Sequence, residues 1–89
     1  MSSRDLRYLV DKNEIQEKQL ELIIYERRLD LQRMTQQFGD RGGTFGERLL
    51  TALKFELDSL ETALSLRQSI NKTLNEVLTQ LKDQKASKT

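Results

Sequence analysis

At 89 residues the chain has room for one small domain, and it contains neither cysteine nor histidine. That removes disulfides, thiol chemistry, the usual zinc ligands and the usual general base. Fifteen Lys+Arg against fourteen Asp+Glu leave a net charge of +1, without the basic excess of a typical nucleic-acid binder.

The first element begins near Ser2-Ser3. Ser2 followed by Asp5 has the form of a capping box. From there Leu6, Val10, Asn13, Glu17, Leu20, Ile24, Arg27, Leu31, Met34 and Phe38 recur at alternating spacings of three and four. This is the a/d seam of a coiled coil. The chain has no proline to interrupt it. The pattern predicts a helix over about 3–38, roughly 50 Å long, with Gly39 offering a left-handed stop. Glu14 and Lys18 are placed for an i,i+4 ion pair.

A glycine-rich turn follows over 39–44. It lacks the spacing of a phosphate-binding loop and no strand precedes it, so its glycines read as a hairpin turn. Weak anion binding beside Arg41 and Thr44 is the most it suggests. Thr44-Phe45-Gly46-Glu47 is a full capping box, which starts a second helix over about 45–81. Its seam is Leu50, Leu53, Leu57, Leu60, Leu64, Arg67, Asn71, Leu74, Leu78 and Leu81. The domain then spans 1–82, and 83–89 reads as a flexible polar tail.

Folding the two seams antiparallel about Gly42 places Val10 against Leu74, Ile24 against Leu60 and Leu31 against Leu53. The polar interruptions coincide in the same register: Asn13 faces Asn71, and Glu17 faces Arg67. Buried polar groups are costly alone and tolerable when partnered, so these four are the expected register-setting layers. Arg27 faces Leu57 and should extend toward Asp30 and Glu56, keeping its charge in water. On one edge Glu21 falls near Glu61, and Arg28 near Lys54.

A minimal two-helix coiled coil would be polar off its seam. Here Tyr8, Ile15, Leu22 and Leu29 recur every seven residues on the opposite side of helix 1, with Tyr25 beside them. Leu9 and Ile23, with Leu49, Ala63, Ile70 and Val77 on helix 2, form a second strip along the seam's edge. Regular apolar stripes of this kind mark interfaces. Tyr8, Ile15, Leu22, Tyr25, Leu29, Leu9, Ile23, Ile70 and Val77 are therefore the candidate interface residues.

The expected fold is all-α: an antiparallel two-helix hairpin, a coiled coil, assembled into a four-helix bundle by dimerisation or with a helical partner. The expected function is non-enzymatic, that of a small interaction or scaffold subunit acting through helix packing. No catalytic constellation, cofactor site or metal site is expected, since Glu14, Glu17 and Glu21 do not converge in a cleft and no Glu-x-x-His motif exists. The expected partner is the chain itself, another helical protein, or both. One alternative is a dimeric nucleic-acid-associated regulator using Arg4, Arg7, Arg27, Arg28, Arg33, Arg41, Arg48 and Lys54. Interleaved acids weaken that positive field, so nucleic acid is the less favoured partner. Another alternative is a chaperone or inhibitor that caps a partner's helix. No apolar run approaches the roughly 18–20 residues of a membrane span. No secretory leader is visible at Met1, so an intracellular, cytoplasmic location is expected, with the nucleus open.

Overall fold

The computed structural model describes residues 3–38 and 43–87. It contains two helices, α1 (Ser3–Phe38, 36 residues) and α2 (Gly43–Ser87, 45 residues), packed against each other as an antiparallel hairpin. The molecule measures 70 × 15 × 14 Å, its long dimension set by α2. Neither helix contains proline, and long helices of this composition hold because a largely apolar seam packs one against the other.

The register is the one the seams dictate. Leu6, Val10 and Leu78 form a buried cluster, with Leu74 and Leu81 packed onto it. Val10 is 1% exposed. At the other end, Gly46 lies buried against Phe38. A Cβ added at Gly46 would sit 2.9 Å from the Phe38 carbonyl oxygen, so only glycine lets the helices come this close beside the turn.

Two boundaries differ from the sequence expectation. α2 begins at Gly43, whose φ of +54° suits glycine alone, and not after Thr44. Among the described residues no hydrogen bond joins the Thr44 side chain to Glu47, because Thr44 already lies inside the first turn. α2 also continues through Ser87, beyond the expected end near Leu81, so much of the segment read as a flexible tail is helical. Lys82, Gln84, Lys85 and Ala86 are good helix formers and no glycine or proline stops them. The proposed Ser2 cap, the Gly39 stop and the Arg41 anion site lie outside the described residues.

Candidate interaction surface

The polar layers coincide as expected, but their partners are crossed. Asn71 is buried, and its Nδ2 donates to the Asn13 backbone oxygen at 3.2 Å and to Glu17 Oε2 at 2.8 Å. Arg67 donates through Nη1 to Asn13 Oδ1 and not to Glu17. The reason is geometric. Asn13 and Glu17 are one turn apart on one face of α1, so a short amide with two protons spans both. The longer Arg67 reaches along the seam to the remaining acceptor. Asn75 Nδ2 closes the network on the Asn71 carbonyl at 2.9 Å. Arg67 Nε and Asn71 Oδ1 are buried without a partner. Each such atom costs about 1–3 kcal/mol, so this network is held at the expense of stability.

Arg27 behaves as its position implies. Its Nε lies 2.8 Å from Glu56 Oε1 across the seam and its Nη1 lies 3.3 Å from Asp30 Oδ2. On the edge where like charges were expected to face each other, Arg28 Nη2 lies 2.7 Å from Glu61 Oε1, so Glu61 has an opposite charge beside it. Arg7 pairs with Asp11 at 3.4 Å, whereas Glu14 and Lys18 do not come within ion-pair distance among the described residues. All these pairs are largely solvated, so each contributes about 0–1 kcal/mol. Three of the arginines considered for nucleic acid, Arg7, Arg27 and Arg28, are thus tied to carboxylates.

The back of α1 is exposed along its length. Tyr8 (65%), Ile15 (58%), Leu22 (58%), Tyr25 (62%) and Leu29 (37%) all face solvent. Tyr8 and Ile15 border a shallow groove with Asp11, Lys12, Gln16 and Gln19. On the edge strip Ile23, Ile70 and Val77 are exposed, as is Ala63, while Leu9 and Leu49 are half-buried. Every apolar residue of the back stripe is therefore uncovered in the single hairpin.

Sequence reasoning missed a third apolar group. Phe45, Phe55 and Leu66 are among the most exposed hydrophobic side chains in the molecule. They break the seven-residue rhythm. Phe55 and Leu66 are eleven residues apart, three helical turns, and so share a face of α2. Between them the Ser59 hydroxyl donates to the Phe55 carbonyl and the Thr62 hydroxyl to the Asp58 carbonyl, both at 3.0 Å. Hydroxyls folded onto their own helix leave a weakly polar patch. The signal was present as small uncharged residues, Ser59, Thr62 and Ala63, on the same helix face as two large apolar ones.

Among the described residues no group of three or more acidic side chains could hold a metal ion, and no helix is long and apolar enough to cross a membrane. Compared with known proteins, the chain matches no family model, no curated protein and no solved structure.

Proposed function

We propose that this chain is a non-enzymatic coiled-coil subunit that works by helix packing, with a second helical pair laid against the outer face of α1. The observation that carries this reading is the exposed stripe Tyr8, Ile15, Leu22, Tyr25 and Leu29, lying opposite the seam on a helix already packed on its other side. Apolar area removed from water contributes about 25 cal/mol per Å², so a contiguous stripe of this length favours association. Three carboxylates beside the seam are already engaged, Glu17 by Asn71 and both Asp30 and Glu56 by Arg27. This supports a structural role for them over acid–base chemistry.

The test is the mass of Ile15→Glu and Leu22→Lys in solution. Each variant should lose the assembly while circular dichroism shows the hairpin still helical, because neither side chain touches the seam. A mass unchanged from the native assembly would overturn the assignment.

A further inference from the structure

We propose that the outer face of α1 seats a second copy of this chain, laid antiparallel across it with the twofold axis beside Gln19. This rests on the helix-packing role proposed above and adds the partner and its register.

The first argument is surface area. The chain exposes 7118 Å². A compact monomer of 10.4 kDa exposes about 5,400 Å². The excess of about 1,700 Å² per chain is spread over the whole elongated hairpin and leaves room for an interface above the roughly 1,000 Å² that a specific contact needs. A hairpin of 70 × 15 × 14 Å becomes compact by laying a long side against another hairpin.

The second argument is that this face is its own complement when reversed. Tyr8, Ile15, Leu22 and Leu29 are evenly spaced, so an antiparallel copy sets Tyr8 over Leu29 and Ile15 over Leu22. Beside the stripe, also every seven residues, run the exposed side chains of Asp5, Lys12, Gln19, Glu26 and Arg33. A twofold axis normal to the plane of the two helices keeps this flank against itself. In the register set by the stripe, Lys12 stands opposite Glu26 of the second copy and Asp5 opposite Arg33 of the second copy. Gln19 meets itself, with amide donor and acceptor to exchange. A parallel pairing would instead set this flank against the other one, with Glu26 opposite Tyr25 and Arg33 opposite Gln32 of the second copy, so that neither charge would find its opposite. Among the described residues Lys12, Glu26 and Arg33 form no ion pair within the chain. On the other flank Asp11 opposes Tyr25 of the second copy, and Lys18 alone meets its like, with Glu21 of the second copy one turn away.

The test uses two reversals at exposed positions, Lys12→Glu and Glu26→Lys, which leave the seam untouched. Each variant alone should associate roughly tenfold more weakly than the native chain, because like charges then face each other twice per dimer. An equimolar mixture should recover the native affinity, since each variant supplies the charge the other lacks. The double variant should recover it as well. If the native chain dimerises but neither reversal weakens it, or the mixture fails to recover, the antiparallel register is wrong. The helix-packing role would still stand provided Leu22→Lys dissociates the dimer. A native chain that stays monomeric across the concentration range overturns the second copy as the occupant.

Discussion

The two ends of this hairpin share one heptad pattern and bury it very differently. At the open end Leu6, Val10 and Leu78 are buried, with the Asn71 network beside them. Toward the turn Leu31, Met34, Leu50, Leu53 and Leu57 are only half-buried, although α2 is richer in leucine there. Two differences account for this. Near the turn the seam position of Arg27 is occupied by a guanidinium that reaches out to Glu56 and Asp30, so its layer stays open to water. At the open end α2 runs on through Ser87, with Leu81 packed onto the cluster around Leu6. Leucine spacing therefore aligns the helices, while the residue opposite and the length of the partner helix decide what is buried.

The largest expected effect comes from cutting into the better-buried end. Leu78→Ala should cost about 3 kcal/mol, whereas Leu53→Ala, already partly solvated, should cost about half that. Urea denaturation of both variants measures the gap, and equal losses would erase the distinction between the ends. Asn71→Leu should act the other way. It removes a buried amide whose Oδ1 is unpartnered, and it frees the half-buried Glu17 to turn to water. Stability should rise by about 1–2 kcal/mol, read as a higher melting temperature. If the polar layer sets register, that variant should also show mixed oligomeric states by light scattering, and a single unchanged state would refute that role. Near the turn, Gly46→Ala pits a helix-propensity gain of about 1 kcal/mol against a clash with the Phe38 backbone. The clash should win, for a net loss of about 1 kcal/mol in thermal melts. A stabilised variant would show that the helices separate there readily. The smallest effect belongs to Arg27→Met. Replacing exposed ion pairs should change stability by less than about 1 kcal/mol, and the difference should vanish in high salt.

Much of this was legible in the amino-acid sequence, and what was not has physical causes. The seam residues and the Gly42-centred fold fixed the alignment, down to Arg27 reaching Glu56. Side-chain length was the blind spot. Spacing places Glu17 opposite Arg67, yet Asn71 takes Glu17 because its two amide protons span one turn of α1. Helix ends were harder to read as well. The segment from Lys82 to Ser87 is polar, which resembles a tail, but its residues favour helix once a helix is already running. The back stripe on α1 stood out because it kept the seven-residue rhythm. Phe55 and Leu66 escaped notice because eleven residues separate them and neither belongs to a seven-residue repeat.

The central claim is that α1 is packed on both sides in the working molecule, the second side by another copy. Light scattering on the native chain across a concentration series, with circular dichroism on the same samples, tests it most directly. The account predicts a highly helical dimer whose mass does not change over the series. A fully helical monomer at the highest concentration would contradict it.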